Sequence, residues 1–228
     1  QNELWAETVK QNIFVICKTP MAKAITKRTL VGYKDIPVKA HYFQDLINMM
    51  KNKPESFVGK VQRADYWKLK GTDKVKFDAI VGNPPYQMET GSTSRQATPI
   101  YNYFVEQAKK INPNYLSMIM PSRWFAGGMG LDQFRNDMMS DKRIAKITDY
   151  VNAKDCFPQI SISGGVCYFL YDSTHTSECE FSNVISGNKT TLKRPLNEFS
   201  VLVRYNEAVE ILRKIQNLEE KSITEIIS

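Results

Sequence analysis

Apolar and polar positions along the chain alternate between short apolar runs and longer amphipathic stretches. Glu3 to Gln11 predicts a short helix, and Ile13 to Cys17 (IFVIC) a buried strand. Pro20, at a first-turn position, opens a helix that runs to about Leu30. Val38 to Phe43 and Val58 to Ala64 read as weaker strands, with a helix from about Gln44 to Lys51 between them. Lys76 to Gly82 is the clearest buried strand, and it stops on Asn83-Pro84-Pro85-Tyr86, which no helix or central strand accommodates. Met88 to Gln96 is polar and reads as a mobile loop; a helix follows from about Pro99 to Ile111. Tyr115 to Met120 predicts another buried strand, closed by Pro121-Ser122-Arg123-Trp124 and a flexible Gly127-Gly128-Met129-Gly130 on the substrate side. Beyond it lie a helix (Leu131 to Ser140), strands at Ile144 to Val151 and Gly165 to Tyr171, a hairpin about Ser186-Gly187-Asn188, and a helix from Glu207 to Leu218. There is no internal repeat. Short strands alternating with amphipathic helices predict an α/β fold with a mainly parallel sheet, in which ligands sit at the carboxyl ends of strands. The Asn-Pro-Pro-Tyr and Pro-Ser-Arg-Trp turns both fall at such ends.

Composition narrows the class. The 228 residues are 42% hydrophobic and 24% charged, which excludes a disordered or low-complexity chain. No apolar stretch approaches the roughly 18 residues of a membrane helix, and no secretory apolar region opens the chain, so a soluble, cytoplasmic protein with no membrane partner is expected. The net charge is +7, unevenly spread: Lys18 to Lys39 holds six basic residues and one acidic, Lys51 to Lys76 eight and three. A basic first half suits a phosphate-contacting surface, and equally a solvated face. Cys17, Cys156, Cys167 and Cys179 form no C-x-x-C pair and read as free thiols, Cys17 and Cys167 in the core. With His41 and His175 the only histidines, neither a metal site nor a His-based triad is expected. The chain opens on Gln1 and closes on a half-apolar segment, Ser222 to Ser228, which reads as a piece excised from a longer polypeptide.

The chemistry concentrates in Phe77-Asp78-Ala79-Ile80-Val81-Gly82-Asn83-Pro84-Pro85-Tyr86. Pro84 and Pro85 fix the backbone and remove N–H donors, leaving carbonyls. Asn83 adds a side-chain acceptor in front of them. Two acceptors on a rigid turn suit a planar –NH2 group with two hydrogens to give, and Tyr86 supplies a face on which a base stacks. The plainer alternative is turn punctuation, since N-P and P-P dipeptides are common in loops.

This stretch resembles the catalytic signature of N6-adenine DNA methyltransferases. Gln87, Pro99-Ile100-Tyr101 and Phe157-Pro158-Gln159 resemble the gamma class of bacterial type II/IIG restriction–modification enzymes. The resemblance implies a Rossmann-like, S-adenosylmethionine-dependent methyltransferase fold: a mostly parallel sheet with a C-terminal antiparallel hairpin, here lacking the first cofactor-binding strand. It implies Asn83, Pro84, Pro85 and Tyr86 as the catalytic turn, Asn83 and the Pro84 carbonyl accepting from the adenine N6 amine. It also implies a target adenine flipped out of double-stranded DNA, with Tyr86 on one face and Phe157 on the other. Phe157 stays equally open as a core residue. Arg123, after the fifth strand of the family, reads as a DNA-backbone contact or a partner of a surface acid. Ser163-Gly164-Gly165 matches the turn into the last hairpin and reads as backbone geometry.

The cofactor side departs from the family. No Gly-rich loop precedes Ile13, and Ile16-Cys17-Lys18-Thr19 stands where an acidic residue would hold the ribose hydroxyls. Asp65 matches the position that contacts the cofactor adenine, with Asp45 as rival. The expected organisation is a catalytic core over residues 1–200 and a connecting helix over 201–228. It would lead to an absent target-recognition domain, with any nuclease upstream on the same parent chain. The competing readings are methylation of RNA adenine or protein glutamine, and a catalytically incomplete nucleic-acid-binding fragment.

Overall fold

The computed structural model describes residues 2–71, 73–88, 98–160 and 162–218. By contact the chain divides into two compact units, residues 1–76 and 77–228.

The first unit contains α1 (Asn2–Asn12), β1 (Phe14–Cys17), α2 (Pro20–Val31), β2 (Lys39–Tyr42), α3 (Leu46–Asn52) and α4 (Pro54–Val61), followed by a 3₁₀ turn at Asp65–Trp67. Local chemistry sets the bounds of α2. The Thr19 hydroxyl accepts from Ala22 N at 3.1 Å, and Pro20 occupies the first turn. At the other end Gly32, at φ +61°, donates its N–H to the Arg28 carbonyl at 2.8 Å. β1 and β2 pair in parallel on either side of this helix, Phe14 opposite Lys39 and Cys17 opposite Tyr42. Of β1 only Cys17 is fully buried. The strand expected at Val58 to Ala64 is instead the second half of α4 and the turn after it. Pro54 starts a helix there, and Phe57, Val58 and Val61 fall on one helical face, all buried. The Trp67 indole donates to the Val61 carbonyl at 2.6 Å and meets Phe14 edge-on at 5.1 Å, while Phe43 packs on Phe57 at 5.5 Å.

The second unit contains β3 (Ala79–Gly82), β4 (Gln87–Met88), β5 (Thr98–Pro99), α5 (Tyr101–Ile111), β6 (Tyr115–Pro121), α6 (Asp132–Ser140), β7 (Ile144–Tyr150), β8 (Val166–Asp172), β9 (Cys179–Ile185), β10 (Asn188–Arg194) and α7 (Asn206–Gln216). Its sheet runs β10-β9-β7-β8-β6-β3. β3, β6, β7 and β9 point one way, and β8 and β10 run against them. The sheet is thus mostly parallel in strand direction and ends in the expected hairpin. Ser186 (φ +50°) and Gly187 (φ +81°) make its two-residue turn, both left-handed as a type I′ turn requires. Leu116, Met118 and Met120 alternate along β6 and bury one face with Val105 of α5, Phe134 and Met138 of α6, and Trp124.

β3 departs from the expectation of a buried strand. Among the described residues it is the last strand of the sheet and pairs with β6 alone, and Val81 is 79% exposed. An apolar run without alternation signals a strand but does not say on which side of it the sheet continues. The Gly127–Gly130 turn is held in place. Gly128 N donates to Asp132 Oδ1 at 3.1 Å, and Arg135 Nη1 to the Ala126 carbonyl at 2.9 Å. The polar loop expected at Met88 to Gln96 and the segment from Ser222 onward fall largely or wholly outside the described residues.

Candidate active site

Asn83 follows the carboxyl end of β3 and Ser122 follows that of β6. The two strands are parallel, Gly82 opposite Met118, so both turns emerge at the same edge of the sheet. β8 runs against β6 with Val166 opposite Pro121 and against β7 with Val166 opposite Tyr150. That antiparallel strand brings residues 151–160 and 162–165 to the same edge. The result is a cavity of about 770 Å³ within the second unit.

One wall is the Asn83–Gln87 turn; the others bring Tyr101, Pro121 and Arg123 together with Phe157, Ile162 and Ser163. The catalytic turn, the stacking pair and the phosphate-contact residue expected from the sequence therefore share one cavity. Pro84 is buried and anchors the turn, leaving Asn83 exposed at its mouth. The Tyr86 carbonyl accepts from Ile100 N at 3.2 Å, and β4 pairs with β5, Gln87 opposite Pro99. The turn is thus fastened on both sides. Tyr86 is half-buried; burial pushes its phenol pKa up, with the Cys156 and Cys167 thiols adding to the shift.

Phe157 lies in the turn after the 3₁₀ segment Ala153–Asp155. Its N–H donates to the Ala153 carbonyl at 2.8 Å and its carbonyl accepts from Ile160 N at 3.0 Å. It is half-buried against the cavity and not part of the core cluster. Arg123 is exposed; its guanidinium donates to the Met129 sulfur at 3.2 Å, and among the described residues it pairs with no carboxylate. Ile162 and Tyr101 were not singled out as site residues. Ile162, an apolar residue in a loop, gives no local signal until the fold places it there, and Tyr101 enters only as part of the Pro99-Ile100-Tyr101 resemblance. Tyr101 is almost fully buried and burial drives its phenol pKa upward, while its Oη stays outside hydrogen-bonding geometry with the nearby Trp124 amide.

Asp65 belongs to the first unit. It is exposed; the Arg63 guanidinium holds its carboxyl below the usual range, and Oδ1 accepts from Arg63 Nε and Tyr66 N, each at 2.9 Å. Asp45, its rival, accepts from Asn48 at the start of α3. Among the described residues the cavity lining contains no carboxylate. Among the described residues no cluster of His, Cys, Asp and Glu is arranged to hold a metal ion, and no helix is long and apolar enough to cross a membrane.

Residues 11–157 match the Eco57I restriction-modification methylase family. The chain belongs to this family. A protein of Mycoplasma pneumoniae (strain ATCC 29342 / M129 / Subtype 1) described as an uncharacterized adenine-specific methylase is 34% identical over 145 residues. That match covers 61% of this chain and 34% of the relative, so the chain spans about a third of that protein's length. A restriction-enzyme modification subunit from Vibrio vulnificus YJ016 superposes with a TM-score of 0.50 at 10% identity, over 92% of this chain and 42% of that one. At that identity the likeness is one of fold, the Rossmann-like methyltransferase fold. The M protein of the type I restriction enzyme EcoKI aligns over 79% of this chain and 38% of its own at a TM-score of 0.48 and 13% identity.

A methylase family implies a methyl donor. The usual sulfonium donor carries an ammonium group, a ribose diol and an adenine amine, all of which carboxylates bind well. The cavity supplies none, and Asp65 already spends part of its carboxylate on Arg63. The lining fits a planar acceptor base and does not by itself fit the donor.

Proposed function

We propose that the protein methylates the N6 amine of adenine in double-stranded DNA as part of a restriction–modification system, with S-adenosylmethionine as donor. The observation that carries this reading is the convergence of Asn83, Pro84, Tyr86, Phe157 and Arg123 on one cavity at the carboxyl edge of β3 and β6. Membership of the restriction-modification methylase family supports it.

Adenine in a duplex is out of reach of this cavity, so the base is flipped into it. Tyr86 and Phe157 hold its faces, and Asn83 Oδ1 with the Pro84 carbonyl accepts the two N6 hydrogens. Those bonds draw the nitrogen lone pair out of ring conjugation and aim it along one line. Pro85 keeps the turn rigid, so the acceptors need no reorganisation when charge develops. When bound, S-adenosylmethionine supplies an electrophilic methyl group on sulfur. Transfer would break the methyl–sulfur bond as the N–C bond forms, leaving a neutral thioether, and the surplus proton of the alkylated nitrogen would pass to solvent past the exposed Asn83, without a strong base. Arg123 contacts the DNA backbone, and Asp65 is assigned to the donor's adenine.

In this reading residues 1–200 form the catalytic core and 201–228 lead toward a target-recognition domain. An upstream nuclease shares the same parent polypeptide, and the protein works in the cytoplasm. The length of the Mycoplasma relative supports further domains.

The test incubates the full-length parent with S-adenosylmethionine and mixed-sequence duplex DNA, and quantifies N6-methyladenine by nucleoside mass spectrometry. Wild type is expected to form the product, and Asn83→Ala to lose roughly 10²–10³-fold in rate, the scale of removing one preorganised polar partner. Cofactor binding with no methyladenine would redirect the search to RNA adenine or protein glutamine. Neither product nor cofactor binding would leave a nucleic-acid-binding fragment.

A further inference from the structure

Behind the cavity the second unit buries a carboxylate that the chemistry above does not use. Asp149, in β7, has no exposed surface. Its Oδ1 accepts from the Ser122 hydroxyl at 2.6 Å and from Arg204 Nη2 at 2.9 Å. Its Oδ2 accepts from Arg204 Nε at 2.6 Å and from Asn183 Nδ2 at 3.4 Å. Asn183 Nδ2 also donates to the Arg204 carbonyl at 2.9 Å, and its Oδ1 accepts from Asn206 N at 3.0 Å, fixing the start of α7.

The partners of this carboxylate support two walls of the cavity. Ser122 stands between Pro121 and Arg123, which both line it, and donates its backbone N–H to the Gly165 carbonyl at 3.1 Å. Gly165 closes the segment that carries Ile162 and Ser163, also in the lining. A Cβ on Gly165 would stand 2.3 Å from the Tyr150 carbonyl and 2.6 Å from Arg204 Nη2. Glycine here is what admits the guanidinium beneath the loop.

We propose that Asp149 and Arg204 are positioning residues of the cavity: through Ser122 their buried ion pair holds the Pro121–Arg123 turn and the Ile162–Gly165 loop at one fixed separation. The proposal rests on the reading of this cavity as the base site. A buried ion pair adds little net stability over an apolar pair, but a directional, bidentate one resists displacement. A site that works by positioning is sensitive to such displacement, losing about 10²-fold for a shift of about 1 Å.

The test uses the full-length protein with Ser122→Ala, which removes one hydroxyl and keeps the ion pair, and Arg204→Gln. Each is expected to lower the single-turnover rate of N6-methyladenine formation at least tenfold on mixed-sequence duplex DNA. S-adenosylmethionine affinity should stay within twofold. Ser122→Thr, which keeps the hydroxyl, should recover most of the rate. Arg213→Gln, which breaks the part-buried ion pair between Arg213 of α7 and Glu198, outside the cavity lining, serves as the control and stays within twofold. In protein labelled with 5-fluorotryptophan, the ¹⁹F resonance of Trp124 (assigned by its loss in Trp124→Phe) should broaden by exchange in Ser122→Ala and Arg204→Gln. Wild-type rates in both variants overturn the proposal. So does a rate loss matched by equal losses of melting temperature and cofactor affinity, without rescue by Ser122→Thr. If wild type forms no N6-methyladenine, the function reading fails separately and the ¹⁹F line decides: broadened lines support the clamp and unchanged lines overturn it.

Discussion

Tyr86 and Phe157 reach the cavity from different elements, so their contributions separate by substitution. Losing one ring removes one stacking face, worth about 1–3 kcal/mol. Tyr86→Ala and Phe157→Ala should each lower kcat/KM for DNA by roughly 5- to 150-fold, while Phe157→Trp should stay near wild type, as steady-state methylation assays would show. The glycines give a matching contrast in stability. Gly165→Ala puts a Cβ against two backbone carbonyls at a positive φ and should cost about 3 kcal/mol. At Gly128 (φ +75°) a Cβ would meet nothing within 4 Å, so Gly128→Ala should cost only the positive-φ strain, about 1 kcal/mol; urea denaturation measures both. The Asn83–Tyr86 turn, which lines the cavity, could be singled out as a candidate from the sequence because its distinctive features lie in four adjacent residues. Phe157 was not decidable, because a core ring and a stacking ring have the same local context. Asp149 carried no signal, since a carboxylate flanked by strand residues reads as a surface position until the fold brings Ser122, Asn183 and Arg204 around it.

At the level of elements, periodicity located most strands and helices but not their neighbours. β3 illustrates this: its apolar run reads as a buried strand, yet among the described residues it pairs with β6 alone. Val81→Thr should change stability by less than about 0.5 kcal/mol, whereas Leu116→Ala in the adjoining β6 should cost about 2–5 kcal/mol. α4 was misread because Phe57, Val58 and Val61 in a short window fit a strand nearly as well as a helix, and Pro54 was the deciding residue. The antiparallel course of β8, which builds a wall of the cavity, is a matter of strand order and has no sequence signal of its own. The junction between α6 and β7 carries a pH dependence. Burial alone would raise the Asp141 pKa, but hydrogen bonds from Arg143 and Lys109 outweigh it and hold the carboxyl below its ordinary value. A depressed folded pKa means stability that is present above the unfolded pKa, near 4, and lost as pH falls through the folded value. Urea midpoints of wild type should therefore drop below about pH 4, and Asp141→Asn should flatten that acid limb while lowering the neutral plateau.

At the scale of the whole molecule, charge and cavity lie in different units. Residues 1–76 carry 15 basic and 7 acidic side chains, and residues 77–228 carry 16 and 17. The basic excess therefore sits entirely in the unit without the Asn-Pro-Pro-Tyr turn, a partition the windowed counts anticipated but could not assign to a compact body. Within the first unit burial lowers the His41 pKa, and the charges of Lys23, Lys68, Lys60 and Lys27 lower it further. Two of these lysines stand over aromatic rings, Lys60 over Phe43 at 5.0 Å and Tyr66 at 5.4 Å, and Lys23 over Tyr42 at 5.8 Å. A nearly neutral second unit contributes little long-range attraction, so the first is expected to supply most of the pull on DNA. Each phosphate neutralised steepens the fall of log K against log salt by about 0.9. Replacing the four lysines by Gln in the full-length protein should therefore make the slope shallower by about 3–4, read by fluorescence anisotropy of a labelled duplex across a salt series. N6-methylation of saturating DNA at low salt should change little, because none of the four lines the cavity. An unaltered slope would mean that the basic face is only solvated, and that the phosphate contacts lie with Arg123 and its neighbours.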